Sequence, residues 1–154
     1  MSYLPIQGLN LKKAQVDIDY VAVVKTSVID INLGTLVADD DSVTKTNGTS
    51  VTLKSGTKSY FIFVNLVHRH TYMFDYDIYL DGVRANQCSI LSEANTAGKH
   101  FAPQNGMALV INPIADVVLT IRNLTTSNST PNDTIYYNNA DASIPNGAIT
   151  ILYY

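Results

Sequence analysis

The sequence has few charged residues, a single cysteine and no tryptophan. Asp, Glu, Lys and Arg make up 15% of its 154 residues, whereas about 25% is usual in a soluble domain. Cys88 has no second cysteine with which to form an internal disulfide or a zinc site. The chain therefore depends on an ordinary hydrophobic core, and its length lies in the usual range for one domain.

The charges that are present argue against nucleic acid as a partner. The formal net charge is −3, and the Lys and Arg residues are scattered, whereas nucleic-acid binding needs a basic stripe. No apolar run approaches the roughly 18 residues of a membrane span. The first residues lack the basic start and apolar core of a secretory leader. We expect no nucleic-acid partner and no membrane insertion.

Polarity comes instead from Asn, Thr and Ser, together with ten tyrosines. Protein interfaces are depleted in charged residues and enriched in Tyr. This composition therefore suits a protein in lasting contact with copies of itself or with another partner. Simple drift in a β-rich sequence would give the same composition, and both interpretations stay open at this point.

Alternation of side chains predicts an all-β domain. Between residues 71 and 80 an aromatic or aliphatic residue occupies every second position, from Tyr72 to Leu80. Asp81-Gly82 follows as a tight-turn signal. Between residues 60 and 67 both faces are apolar, which predicts a central strand that is covered on both sides. The other predicted strands are 21–24, 28–37, 50–54, 106–111, 117–123, 135–137 and 148–154. Turn signals between them favour an antiparallel β-sandwich or jelly roll.

Two segments are predicted to lack strands, and a third is predicted to be an arm. Residues 89–99 are expected to form a helical turn or a loop, and residues 125–133 an exposed loop. Residues 1–15 show no clear period and are expected to precede a jelly-roll domain of residues 16–154. The apolar residues of this arm are Leu4, Pro5, Ile6, Leu9 and Leu11. Left uncovered they would expose hydrophobic surface, so the arm packs on its own domain or, as we favour, reaches a neighbouring subunit or a capsid shell.

The second half of the chain follows a recognisable order of elements, from residue 50 to residue 154. Its motifs are Gly56-x-x-x-Tyr60 before a core strand, the turn Tyr79-Leu80-Asp81-Gly82, Asn105-Gly106, a hairpin at Asn112-Pro113, and Pro145-Asn146-Gly147 before the final strand ITILYY. This order resembles the trimeric jelly roll of the tumour-necrosis-factor and complement-globular-head superfamily. Similar domains occur in phage head fibres, capsid decorations and receptor-binding tips.

The resemblance implies a homotrimer with aromatic residues in the subunit contact, and Tyr79, Tyr153 and Tyr154 are the candidates. Tyr72 and Tyr76 are expected to fill the core instead. Without a leader or a disulfide, the resemblance implies a viral structural protein that is assembled in the host cytoplasm and carried on the virion. Its expected role is a capsid decoration or head-fibre subunit, bound through the arm to the major capsid protein or another virion protein.

Two groups of residues have the composition of metal ligands. His68 and His70 would share one face of a strand, and three such pairs on a threefold axis would offer six nitrogens to a transition metal. Because the pair lies where one strand ends, a solvated turn is the favoured interpretation. Asp39-Asp40-Asp41 offers carboxylates to calcium but lacks the Gly and Glu of an EF-hand loop, so a solvated loop tip is favoured and no metal is expected.

Catalysis has little support in the sequence. Asp75 and Asp77 share a strand face, as paired carboxylates of glycan-cleaving enzymes do, but this spacing is common in strands. No nucleophile motif or phosphate-binding loop is present, so we expect no enzyme activity, no catalytic residue and no cofactor. The alternative binding function is a receptor- or carbohydrate-binding tip of a phage fibre. Tyr136, Tyr137 and Asp141 would then contact a host-surface glycan.

Overall fold

The computed structural model describes residues 10–18, 29–70, 74–92, 100–123 and 147–154. Within these ranges the chain forms only strands, and none of the described residues lies in a helix that could cross a membrane. The strands are β1 (Lys12–Ile18), β2 (Ile29–Asp30), β3 (Leu33–Ala38), β4 (Val43–Lys45), β5 (Ser50–Leu53), β6 (Ser59–His70), β7 (Phe74–Leu80), β8 (Val83–Ser92), β9 (His100–Ile111), β10 (Val117–Asn123) and β11 (Gly147–Tyr153).

The strands make two antiparallel sheets. The first sheet has the order β3-β1-β11-β6-β9, so the C-terminal strand lies at its centre. The second has the order β4-β5-β10-β7-β8, and β2 pairs with the end of β10 beyond β5. Neighbouring strands are mostly distant in sequence, which is typical of a jelly roll and not of a simple meander. The prediction of an all-β sandwich is confirmed.

Alternating side chains from both sheets build one core. In β11 every second residue, from Gly147 to Tyr153, is buried, and the residues between are half-buried. Most core side chains are β-branched or aromatic, and such residues pack well on a pleated surface. The largest fully buried side chains are Tyr60, Tyr153, Leu33, Leu53, Ile62, Ile78, Leu119, Ile121 and Ile149.

Short turns close one end of the sandwich. Asp81 and Gly82 both have positive φ angles, 52° and 75°, which is the backbone of the two-residue hairpin turn that Asp-Gly favours. At the same end Asp116 accepts hydrogen bonds from the Lys54 ammonium and the Ser55 amide, both at 2.8 Å. These contacts lower the pKa of Asp116 to about 2. The Asp81-Gly82 turn that the sequence predicted is therefore confirmed.

The structure corrects several boundaries. Strand β6 continues to His70 and β9 begins at His100, beyond the predicted strands 60–67 and 106–111. Residues 12–15, predicted as part of the arm, belong to β1, where Ala14 is fully buried. Residues 89–92, predicted as a turn or loop, continue β8 and pair with β7. Strand β4 was also not predicted. The predicted strands 21–24 and 135–137, residues 93–99 of the predicted turn or loop, and the loop 125–133 lie outside the described residues.

Gly147 shows how closely β11 approaches β6. Its φ angle is +141°, and a Cβ atom on it would lie 2.1 Å from the backbone oxygen of Asn65. A real side chain cannot occupy that position, so the two strands would have to separate where β11 begins. Gly147 is required by this close approach as well as by its backbone conformation.

We therefore expect Gly147→Ala to lower the free energy of unfolding by at least about 2 kcal/mol, because strain at a positive φ angle adds to the clash. Denaturant unfolding at one protein concentration measures the change. Gly48→Ala is the matched control, since nothing lies within 4 Å of the added atom there. Equal midpoints for the two variants would contradict the account of Gly147.

Candidate functional site

The outward side of the first sheet exposes a large apolar surface, which we call the apolar face. Its members are 38% to 63% exposed, and each alternates along its strand with a buried neighbour. They come from β6, β9 and the residue after β11, and they are Phe61, Phe63, Met107, Leu109, Ile111 and Tyr154. Isolated exposed apolar residues are ordinary, but contiguous patches mark sites of association.

Strand pairing makes this surface continuous. Leu109 lies opposite Phe61, which lies opposite Leu152, so these three side chains form one row across the sheet. The next row is Met107, Phe63 and Thr150 in the same order of strands. The rings of Phe61 and Tyr154 stack with their centroids 6.3 Å apart. Most of the apolar face thus consists of residues that lie directly opposite one another on β6 and β9.

The face becomes polar towards β1. Lys13 lies opposite Leu152, Gln15 opposite Thr150 and Asp17 opposite Ala148. Directly opposite residues of an antiparallel pair point to the same side of the sheet. One half of the outward side is therefore aromatic and aliphatic, while the half on β1 carries charges and an amide.

A third row carries a pair of amides. Asn65 lies opposite both Asn105 and Ala148, and its Nδ2 donates a hydrogen bond to Asn105 Oδ1 at 2.8 Å. Beside this pair is a depression of about 400 Å³. Its lining residues include Phe63, Asn65, Asn105, Met107, Ala148 and Thr150.

The predicted covering of β6 is half right. The strand is central, between β11 and β9, and Tyr60, Ile62 and Val64 on its inward side are buried. Phe61 and Phe63 on the other side remain 38% and 41% exposed. The expectation that both faces are covered is therefore wrong for one copy of the chain, because the second sheet covers only the inward side.

No family model matches the chain, and no curated protein matches it in sequence. Among solved structures, murine APRIL gives a TM-score of 0.61 at 9% identity, covering 93% of this chain and 98% of that one. Eiger TNF from S. frugiperda gives 0.57 at 11% identity, covering 92% and 91%. The globular domain of zebrafish complement 1qA gives 0.51 at 11% identity, covering 92% and 94%.

The chain has a tumour-necrosis-factor-like jelly roll. At these sequence identities the likeness shows the fold alone. It confirms the fold that the order of motifs in the second half of the sequence implied. We take the apolar face as the candidate functional site, because its exposed aromatic and aliphatic residues lie together on one side of a sheet.

The tyrosines that were predicted to meet at the subunit contact lie in three different environments. Tyr153 is fully buried, so its assignment to a surface contact is wrong. Tyr79 lies in the second sheet, half-buried, with the Arg122 guanidinium 4.3 Å from its ring centroid. Tyr154 is 48% exposed on the apolar face. Of the three, only Tyr154 lies on the apolar face, and its role in a subunit contact stays a prediction. Tyr76, predicted for the core, is buried there.

Tyr153 is held inside by a polar cluster around Asp40. Its ring stacks on Tyr60 at 5.7 Å between centroids, and its hydroxyl donates to Asp40 Oδ1 at 3.0 Å. The same carboxylate accepts hydrogen bonds from Lys12 Nζ at 2.5 Å and from the Ser42 amide at 2.8 Å. The Lys12 ammonium, with further help from Ser42, holds the pKa of Asp40 well below its usual range. Asp40 thus joins β1, β11 and the loop after β3.

The residues with metal-binding composition do not form a site in the described part of the chain. Asp39 accepts a hydrogen bond from the Lys13 amide at 2.7 Å, and Asp40 accepts one from the Lys12 ammonium. No group of three or more His, Cys, Asp or Glu among the described residues could hold a metal ion. The backbone of His68 and His70 continues β6 and pairs with β9, so the expectation of a solvated turn there is wrong. Their side chains lie outside the described part.

The remaining candidates divide in the same way. Asp77 is fully buried and forms an ion pair with Arg84, so its carboxylate is not open to a glycan. The side chain of its proposed partner Asp75 lies outside the described part. So do the candidate glycan residues Tyr136, Tyr137 and Asp141, and the candidate shell-attachment residues Leu4, Pro5, Ile6 and Leu9. Leu11, the last of the attachment set, is 50% exposed just before β1.

The Asp40 cluster predicts how the fold responds to acid. A carboxylate whose pKa is lowered on folding contributes stability above the pKa of the unfolded chain, near 3.8, and this stability is lost as the pH falls. We expect the protein to lose stability below about pH 5. Asp40→Asn should lower the free energy of unfolding at pH 7 by about 1 to 3 kcal/mol and make the acid-induced loss shallower.

Denaturant unfolding between about pH 7 and about pH 2.5 checks this prediction. Asp41→Asn is the control, because Asp41 is an exposed neighbour in the same loop. If Asp40→Asn and the unaltered protein lose stability in parallel, then Asp40 is not the group that makes the fold acid-sensitive.

Proposed function

We propose that this chain is a non-catalytic subunit of a homotrimer and serves as a structural protein on the surface of a virus particle, as a capsid decoration or head fibre. The observation that carries the first part is the apolar face. This surface exposes two phenylalanines, a methionine, two large aliphatic residues and a tyrosine. An exposed apolar surface of this kind is typical of a contact with a protein partner.

The apolar face is large enough for its burial to offset the free-energy cost of association. Covering the exposed part of one of its aromatic rings contributes about 2 kcal/mol. The six members of the apolar face, three aromatic and three aliphatic, would together contribute on the order of 10 kcal/mol. Association itself costs about 4 to 15 kcal/mol. The balance is close, so the assembly should depend on most of the face, and removing two rings should abolish it.

A second copy of the chain is the partner that the fold favours. The tumour-necrosis-factor and complement-head jelly rolls that this chain resembles are homotrimers. A closed ring of three requires that one surface of each copy meets a different surface of the next. The division of the outward side into an apolar half on β6 and β9 and a polar half on β1 supplies two such surfaces.

The virion role rests on composition and on the start of the domain. A charge content of 15% suits a protein packed among other subunits. Lys12 pairs with Tyr153, so Leu11 and Tyr154 leave the first sheet at the same end. We propose that Leu11, with Leu4, Pro5, Ile6 and Leu9 before it, attaches the trimer to the particle shell.

The association prediction is tested by the solution mass. Light scattering coupled to size exclusion should give three times the chain mass of 16.8 kDa. Replacing both rings, Phe61→Lys with Phe63→Lys, should give a folded monomer, since two unpaired lysines on neighbouring outward positions of β6 cannot be buried in the contact. Val83→Lys is the matched control: Val83 is 69% exposed, but it lies in the second sheet. A monomeric unaltered protein would end this proposal.

The virion prediction is tested on particles. An antibody raised against the purified protein should label the surface of virus particles from the source culture in electron micrographs. Particles produced with a chain that lacks residues 1–9 should lose the label, while the purified truncated protein keeps the trimer mass because all described strands remain. Protein found only free of particles would contradict a virion role and leave the trimer unaffected.

A further inference from the structure

We propose that the hydrogen-bonded pair Asn65 and Asn105 sets the register and the number of copies of the assembly. This inference rests on the proposed self-association and adds to it which residues select one arrangement over others. The pair and the depression beside it would contact a second copy of the chain. At this part of the contact, a shift of the partner along the sheet would be unfavourable.

The amide pair has hydrogen-bonding capacity left over. Two asparagine side chains offer four N–H groups and two oxygens, and the bond from Asn65 Nδ2 to Asn105 Oδ1 uses one N–H group. Both side chains are exposed, so water can serve the remaining groups in a single copy. A second copy that covers the pair must offer polar groups in the right places or leave these donors and acceptors unmatched.

The apolar rows cannot select a register by themselves. Leu109, Phe61 and Leu152 form one row, and burial of such side chains is favourable in any orientation that excludes water. Shifting a partner along these rows exchanges one apolar contact for another. The amide row behaves differently, because each polar group buried without a partner costs about 1 to 3 kcal/mol. Arrangements that place apolar side chains over Asn65 and Asn105 are therefore penalised.

The shape of the surface acts in the same direction. The depression of about 400 Å³ is lined by the large side chains of Phe63 and Met107 and by the smaller residues Ala148 and Thr150. A partner must fill it with a matching projection or with ordered water, which bridges polar groups well. Concavity and hydrogen-bonding groups thus coincide at one place on the apolar face.

The amides are also held on a rigid support. The backbone oxygen of Asn65 is the atom that Gly147 approaches so closely that no side chain fits between them. Asn65 is paired on both sides, with β11 and with β9. A group that must discriminate between registers needs such positioning, because a mobile amide would adapt to a shifted partner.

The test replaces the amides with apolar side chains of similar size. Asn65→Leu with Asn105→Leu should keep the ability to associate, since Phe61 and Phe63 are intact, but lose the single stoichiometry. Native mass spectrometry of the full chain should show at least about a tenfold larger share of assemblies other than the trimer, because the polar penalty on them has been removed. Asn32→Leu, at an exposed asparagine between β2 and β3, is the matched control and should remain a trimer.

Each possible outcome of this experiment either supports or overturns the inference. A mixture of stoichiometries in the double variant, with a single trimer in the control, supports the inference. A single trimer in the double variant overturns it and leaves the self-association intact. A folded monomer also overturns it, because the amides would then supply attraction and not selection; the single variants Asn65→Leu and Asn105→Leu exclude a folding defect. An unaltered protein that is monomeric would overturn both this inference and the proposed trimer.

Discussion

The position of the C-terminal strand is the constraint on which the rest of the structure depends. Strand β11 lies between β1 and β6, and it can enter there only because Gly147 allows its backbone to pass close to Asn65. At its other end Tyr153 stacks on Tyr60 and bonds to Asp40. Because β11 is held at both ends, its small outward residues stand beside the rings of β6 in a fixed register, and the apolar face is a consequence of that register.

The two outward sides of the sandwich differ in chemistry, and this difference carries the functional argument. On the second sheet the outward residues include Thr52, Thr120 and Arg122, whose guanidinium pairs with Asp30 at 2.7 Å. Such a surface is satisfied by water. On the first sheet β6 and β9 present aromatic and aliphatic groups instead. A sandwich can cover only two of its four sheet faces with itself, so the apolar outward side stays exposed in a single chain, and the proposed association would cover it.

The sequence predicts strands well where alternation is strong, and poorly where the environment decides. Strand β10 and the Asp81-Gly82 turn were predicted because periodicity and turn chemistry are local signals. Strand β1 was missed because its short, half-polar pattern follows an irregular apolar stretch. Tyr153 and Tyr154 could not be told apart, because neighbouring residues in a strand point to opposite sides and a shift of one residue exchanges core and surface. The pairing of Asn65 with Asn105 spans 40 residues and has no local signal.

The apolar face offers a physical reason for the low charge content of this chain. Selection between arrangements of a contact requires polar groups inside it, and a buried carboxylate or ammonium costs several kcal/mol unless it is paired with good geometry. Amides cost less to bury and still penalise a wrong neighbour. A surface that uses asparagine in place of aspartate or lysine can therefore be both stable when covered and selective about what covers it. Under the proposed selection of register, the low charge content and the polar row on β6 and β9 answer the same requirement.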